Sequence, residues 1–328
     1  MTWLVTGGAG YIGAHVVRAF RADGTDVVVL DDLSTGVAAF VPDDVPLVRA
    51  SVLDTDAVTA ALRDHAVTGV VHLAGYKFAG ESVRRPLHTY EQNVTGTTRL
   101  LAAMADAGVP AIVYSSSAAV YGTPAADVVT EDTPTAPESP YGESKLIGEW
   151  LIADAARASA GGPTPLRHTS LRYFNVVGSG SPDLYDASPH NLFPLVLGAL
   201  VEGRTPHING DDYPTPDGTC VRDYVHVVDL AAAHVTAARA LAEGRPLRPV
   251  YNLGSGEGVS VRQIMTTVAQ VTGTPFTPEV GPRRPGDPAR IVADGALAAQ
   301  DLGWTMRHTL GDMVSSAWLG QPGRAPGR

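Results

Sequence analysis

Three glycines, Gly7, Gly10 and Gly13, each three residues from the next, follow the apolar run at residues 3–6 and open the apolar-periodic stretch at 11–20, and they constrain this chain most. The order reads strand, tight turn, helix. Glycine lets a backbone turn sharply and approach a pyrophosphate, and the helix N-terminus behind it offers unpaired N–H groups and partial positive charge. Continuous apolar runs follow at 26–30, 47–48, 69–73, 111–114 and 166–173, the pattern of strands covered on both faces. Helical patterns at 54–64, 90–107 and 141–160 lie between them. The expected fold is α/β: a Rossmann-type doubly wound parallel sheet with a smaller C-terminal α/β substrate lobe. Residues 1–177 are expected to form the nucleotide-binding domain, rejoined by about 222–245. Turn-rich stretches at 178–189 and 203–218 mark the lobe within 178–328, which is therefore discontinuous.

The chain has 328 residues, enough for two domains, with 44% hydrophobic and 18% charged residues, an ordinary globular balance. The formal net charge of −10 argues against a nucleic-acid or anionic-membrane binder, since both need a basic surface. The single cysteine, Cys220, excludes an internal disulfide and a cysteine-rich zinc site, so no metal is expected. The first 13 residues lack the basic start and apolar stretch of a signal peptide, and the expected compartment is the cytoplasm. The most apolar later stretch, 192–201, falls short of the roughly 20 residues of a membrane span. Only two of the 24 basic residues, Lys77 and Lys145, are lysines. A chain that otherwise uses arginine has a local need for lysine at those two sites.

Asp31 ends the second strand 18 residues after Gly13, where a carboxylate accepts hydrogen bonds from a ribose 2′-hydroxyl and repels a 2′-phosphate. NAD is thus favoured over NADP. Tyr141-x-x-x-Lys145 opens a helix, and the i, i+4 spacing puts both side chains on one face. A neighbouring ammonium stabilises a phenolate, making tyrosine a usable general base near neutral pH. Lysine suits this better than arginine, because its compact ammonium approaches both a phenolate and ribose hydroxyls. Ser115, Ser116 and Ser117 end the strand at 111–114, at the edge where such sheets bind ligands. A serine hydroxyl there orients a reacting oxygen, with Ser117 the strongest candidate.

These residues together resemble the extended short-chain dehydrogenase/reductase family and, within it, the UDP-glucose 4-epimerases. The resemblance rests on VTGGAGYIG (5–13), HLAGYKFAGES (72–82), SSSAAVYG (115–122), SPYGESK (139–145), LRYFN (171–175) and GDDYPTPDGTCVRDYVHV (210–227). The last segment is similar to the epimerases specifically. Dehydratase relatives carry an acidic residue just after the active-site serine or threonine, where this chain has Ala118 and Ala119. The resemblance implies that NAD takes a hydride from C4 of the sugar as Tyr141 removes the 4-hydroxyl proton, and returns it to the other face of the resulting 4-keto sugar. Lys145 then lowers the Tyr141 pKa and Ser117 places the C4 oxygen.

For the cofactor, the resemblance implies contacts from Gly7, Gly10, Tyr11, Ile12, Gly13, Asp31, Asp32, Ser51, Val52, Leu73, Ala74, Gly75, Lys77, Asn93, Ser115, Tyr141, Lys145 and Tyr173. For the UDP-sugar it implies Lys77, Ser117, Tyr141, Phe174, Asn175, Asn191, Leu192, His207, Asn209, Arg222, Arg283, Asp287 and Ile291. Three positions depart from the usual pattern. Ser51 stands in place of an aspartate near adenine, and Asn209 in place of an aromatic residue beside uracil. Ile291 occupies a sugar-pocket position where relatives vary between tyrosine and smaller residues, which implies room for a 2-acetamido group.

The leading expectation is a cytoplasmic, homodimeric isomerase that interconverts UDP-glucose and UDP-galactose, within galactose and nucleotide-sugar metabolism. The implied dimer helices are 90–107 and 141–160. A UDP-uronate, UDP-pentose or UDP-N-acetylhexosamine would use the same chemistry. A non-catalytic dinucleotide-binding regulator is the alternative of another class, and the intact Ser117, Tyr141 and Lys145 count against it.

Overall fold

A computed structural model describes residues 1–284 and 288–324. Asp287 lies outside the described residues. The major sheet is built from β1 (Thr2–Thr6), β2 (Asp26–Leu30), β3 (Leu47–Val48), β4 (Val67–His72), β5 (Ala111–Ser117), β6 (Arg167–Tyr173) and β7 (Val250–Leu253). All seven run parallel, in the spatial order β3-β2-β1-β4-β5-β6-β7. The chain starts in the middle of the sheet, winds outward through β2 and β3, and crosses back to β4. That reversal opens a crevice at the carboxyl ends of β1 and β4, the usual ligand position in such sheets.

Period-two side chains divide the core between the two faces of the sheet. Trp3, Val5, Val27, Val29, Val71, Val113 and Leu171 pack on one face with Val16, Val17 and Phe20 of α1 (Tyr11–Ala22). Leu4, Val28, Leu30, Val70, Ile112 and Tyr114 pack on the other, with Val58 and Leu62 of α2 (Thr55–Asp64) and Leu100 and Met104 of α3 (Gly96–Ala107). Such burial contributes on the order of 1.5–3 kcal/mol for each large side chain. It holds the sheet rigid under the crevice.

The helical pattern at 90–107 is not one regular helix. Pro86–Tyr90 is α-helical, Glu91–Thr95 forms a π turn, and α3 follows at Gly96. The extra residue turns Asn93 inward, where it is 2% exposed. The helix expected at 141–160 runs as α4 (Pro140–Ser159), with Pro140 in its first turn and Ser139 as N-cap, accepting from Gly142 N at 3.2 Å. After β6, Asn175–Val177 pairs in parallel with Tyr224–His226, and α5 (Val227–Ala242) packs back on the sheet against α1.

Shorter strands carry the remaining chain. Val221–Arg222 pairs with Val259–Ser260 and Arg290–Ala293, while His207–Asn209 pairs with Glu279–Gly281. A separate core of Phe193, Val196, Leu197, Ile264, Met265 and Val268 supports them. Among the described residues no helix is long and apolar enough to cross a membrane.

Candidate active site

A cleft of about 810 Å³ runs along the carboxyl ends of the strands, from Gly7 and Asp31 past Ala74 and Lys77 to Tyr141, Lys145 and Tyr173. The glycine turn forms its floor. Gly7 has φ +71°, and a Cβ there would stand 2.7 Å from Ala74 N. A Cβ on Gly13 would fall 2.1 Å from Gly7 O, so only glycine brings α1 this close to β1. Gly10 is the N-cap of α1, and its side-chain direction meets only Gly7 O at 3.2 Å. The first-turn N–H groups of α1 therefore open onto the cleft.

Asp31 is 8% exposed, with Oδ2 accepting from Ala9 N at 3.0 Å and Oδ1 from Leu33 N at 2.9 Å. Burial raises its pKa, and those two N–H donors pull it back. Each oxygen keeps a lone pair for a hydroxyl donor. Asp32 is exposed beside it and accepts from Ser34 N at 2.8 Å. Ser51 turns to its own backbone, accepting from Leu53 N at 3.2 Å, while Val52 closes the wall. Tyr11, Ile12, Leu73 and Gly75 also line the cleft. Gly-turn, N-terminus and carboxylate together fit a dinucleotide with an unphosphorylated 2′-hydroxyl.

At the other end, the α-helical spacing brings Tyr141 and Lys145 to β5. Lys145 is 5% exposed and donates through Nζ to Ser115 O at 2.9 Å. Its Nζ lies 5.1 Å from the centroid of the Tyr114 ring and 6.0 Å from that of Tyr141. Burial pushes its pKa down to about 8, and the Glu149 carboxylate pushes it back up. Burial holds the Tyr141 phenol above its ordinary value, opposed by a hydrogen bond with Ser117. Ser117 also caps the turn after β5, its Oγ accepting from Ala119 N at 3.2 Å. Phenol, ammonium and hydroxyl so placed can remove and return a proton at one oxygen.

Other candidates are brought together less closely. Asn93 and Ser115 are buried behind the cleft wall. Asn93 accepts from Tyr76 N at 2.6 Å and donates to Tyr76 O at 3.0 Å and Ser144 Oγ at 2.8 Å, tying the Lys77 loop to α4. Ser115 Oγ meets Tyr173 Oη. Phe174, Asn175 and Asn191 line the cleft, and Leu192 starts the helix Leu192–Val201 next to it. Asn209 pairs with Gly281, close to Arg283, which stacks 4.3 Å over the Tyr213 ring and binds Asp212. His207 is exposed on the same strand. Arg222 and Ile291 face each other in register, with Ile291 buried beside Phe174 rather than on the cleft wall.

Asp186, which sequence reasoning missed, contacts two residues of the cleft wall, Lys77 and Asn191, from behind. It lies 4.0 Å from Lys77 and accepts from Asn191 Nδ2 at 2.6 Å. It sits in an irregular loop, where no periodic pattern marks a side chain.

Residues 3–254 match the NAD dependent epimerase/dehydratase family. The chain belongs to that family. It is 43% identical to the curated UDP-glucose 4-epimerase of Corynebacterium glutamicum over 97% of this chain and 95% of that one. It is 42% identical to the Lactobacillus helveticus UDP-glucose 4-epimerase over 97% and 96%. Among solved structures it resembles the UDP-glucose 4-epimerase of Stenotrophomonas maltophila, with bound NAD and formylated UDP-arabinopyranose, at 39% identity, TM-score 0.92 and 98% coverage of both chains. The Bifidobacterium longum enzyme, in complex with NAD+ and UDP, aligns at TM-score 0.86 and 36% identity, again over 98% of both chains. This family membership and the cleft's own chemistry agree on the dinucleotide.

Proposed function

We infer that the protein inverts C4 of the sugar in UDP-glucose and UDP-galactose, through a 4-keto sugar, with NAD in the cleft. The observation that carries this reading is the placement of Tyr141 and Lys145 of α4 at the end of a glycine-floored cleft, with Ser117 of β5 hydrogen-bonded to Tyr141. NAD, when bound, supplies the acceptor and then the donor of the C4 hydrogen with its electron pair. Gly7, Gly10 and Gly13 admit its pyrophosphate, and Asp31 takes its adenosine ribose. Tyr141 Oη takes the 4-hydroxyl proton and later returns it, with the Ser117 hydroxyl as the second contact on that oxygen. Lys145 supplies the positive charge that offsets the burial of the phenolate. Ala118 and Ala119 offer no acid after Ser117 to expel water, which favours epimerisation over dehydration.

Incubating the purified protein with UDP-galactose and no added cofactor is expected to produce UDP-glucose, followed by chromatography. Absence of UDP-glucose even after NAD is supplied would overturn this reading. The cytoplasm is the compartment proposed for it.

We also propose that two copies pair through the side of the molecule carrying α4. Leu87 is 83% exposed, Val83 64% and Trp150 55%, on neighbouring short helices and on α4. Large apolar side chains exposed together mark an interaction surface. The double variant Leu87→Glu/Trp150→Glu is expected to halve the mass seen by sedimentation equilibrium without changing thermal unfolding of the monomer. A native chain already of monomer mass would remove this proposal.

A further inference from the structure

Helix α4 carries a third inward-facing charge, Glu149, four residues after Lys145 and eight after Tyr141 and therefore on the same face. It is 7% exposed. Its Oε1 accepts from Ser116 Oγ and from Arg172 Nε at 2.9 Å, and its Oε2 from Arg172 Nη2 at 2.6 Å. Arg172 Nη1 donates to Tyr121 Oη at 2.9 Å, Tyr121 Oη to Asn252 Oδ1 at 2.7 Å, and Asn252 Nδ2 to Val129 O at 3.2 Å. Strand register explains the cluster, since Ser116 pairs with Arg172, and Arg172 with Asn252. One carboxylate on the helix thus grips β5 and β6 directly and β7 through Tyr121. The next residues along β5 and β6 are Ser117, hydrogen-bonded to Tyr141, and Tyr173, on the cleft wall.

We propose that Glu149 is a positioning residue for the Tyr141–Lys145 pair. Its two-pronged bond to Arg172 fixes the rotation and depth of α4, so that Lys145 reaches Ser115 O and Tyr141 reaches Ser117. Its charge also cancels that of Arg172, leaving the Lys145 ammonium to act on Tyr141. This proposal rests on the reaction inferred above. The groups facing Lys145 are Tyr141 and Glu149 on its own helix, Tyr114 and the Ser115 carbonyl on β5, and His72 on β4. From β6, Arg172 reaches it through Glu149, and Tyr173 is bound to Ser115. Glu131 stands beyond Arg172, near Tyr121. Burial pushes His72 down to about 3, so it is neutral throughout the working range.

Removing the negative charge of Glu149 leaves Arg172 unbalanced. Extra positive charge favours phenolate over phenol and amine over ammonium, so both the Tyr141 and the Lys145 titrations move to lower pH. The experiment measures Tyr141 phenolate by ultraviolet absorbance across pH, as the difference between each protein and its Tyr141→Phe counterpart. Turnover of UDP-galactose is measured on the same preparations.

Glu149→Gln is expected to lower the Tyr141 midpoint by about one pH unit and kcat by about tenfold, with KM within about twofold. Glu149→Gln/Arg172→Gln restores the charge balance, so its midpoint is expected to return to the native value while kcat stays about tenfold low, because the two-pronged bond is gone. A folded Glu149→Gln protein with native midpoint or native kcat overturns the proposal, as does native kcat in the double variant. If Glu149→Gln fails to fold, the double variant decides by the same criterion. The midpoint needs no turnover, so a native protein inactive on UDP-galactose sinks the inferred reaction and leaves Glu149 still open to this test.

Discussion

Tyr141→Phe is expected to slow UDP-galactose conversion by about a thousandfold or more while leaving the fold intact. The substitution deletes one oxygen, and the backbone contact that seats the residue, Tyr141 N to Ser82 Oγ at 3.1 Å, is untouched. The lost oxygen is the group on α4 placed to exchange a proton beside Ser117. Tyr173, the cleft phenol beside Tyr141, cannot substitute, since its hydroxyl is held by Ser115 and burial keeps its pKa well above the ordinary value. Burial also raises Tyr141, so deleting its hydroxyl removes a poorly solvated polar group, and thermal stability is expected to hold or rise slightly. Rate and melting temperature measured on the same sample check both halves. A variant within tenfold of the native rate would place the general base elsewhere.

The glycine turn and the two-faced strands were legible in the sequence because their signals are local. Gly7, Gly10 and Gly13 are needed for close approach of β1, β4 and α1, and continuous apolar runs declare strands buried on both sides. The Tyr141 and Lys145 pairing was equally readable, being a matter of helical spacing. Long-range pairing was not. Strand β7 joins the sheet 77 residues after β6 ends, and nothing near Val250 announces its neighbour. The π turn at Glu91–Thr95 escaped because a single extra residue leaves a 3.6-residue pattern almost unchanged, yet it decides that the Asn93 amide grips Tyr76 and Ser144. Glu149 gave a signal that could have been used, a carboxylate on the same face as Tyr141 and Lys145. Its partner Arg172 is supplied by a strand, which only the assembled sheet reveals.

The residues expected to contact substrate lie between these extremes. Asn209, Arg222, Arg283 and Ile291 come from strands of two to four residues, or from next to one, and meet only through tertiary pairing. Motif resemblance places them in sequence but says nothing of their spacing in the folded chain. The structure sets Asn209 in a two-stranded sheet, with Arg283 two residues beyond its partner strand, and pairs Arg222 with Ile291 in a four-stranded one.

Lys145→Met is expected to abolish turnover and yet stabilise the folded chain. The lysine is buried, its pKa lowered from 10.5 to about 8, so folding takes an ammonium from water into a site that holds it poorly. A tenfold change in acidity corresponds to about 1.4 kcal/mol, which puts the cost at roughly 3 kcal/mol. Methionine fills similar space without the charge. The sign follows from the lowered pKa. Below the folded value both folded and unfolded lysine carry the proton, and the full penalty applies. Between the folded and unfolded values the folded state has released its proton while the unfolded state still holds it, so the penalty shrinks as pH rises, and above both it is gone. The advantage of Lys145→Met should therefore be largest at neutral pH and fade through the range from about 8 to 10.5. Urea unfolding of both proteins at neutral and alkaline pH tests this. Equal midpoints at neutral pH would mean that the contacts to Ser115 O and the Tyr114 ring fully offset desolvation. A more stable but inactive variant would mean that the chain retains a destabilising buried ammonium because the Tyr141 phenolate requires one.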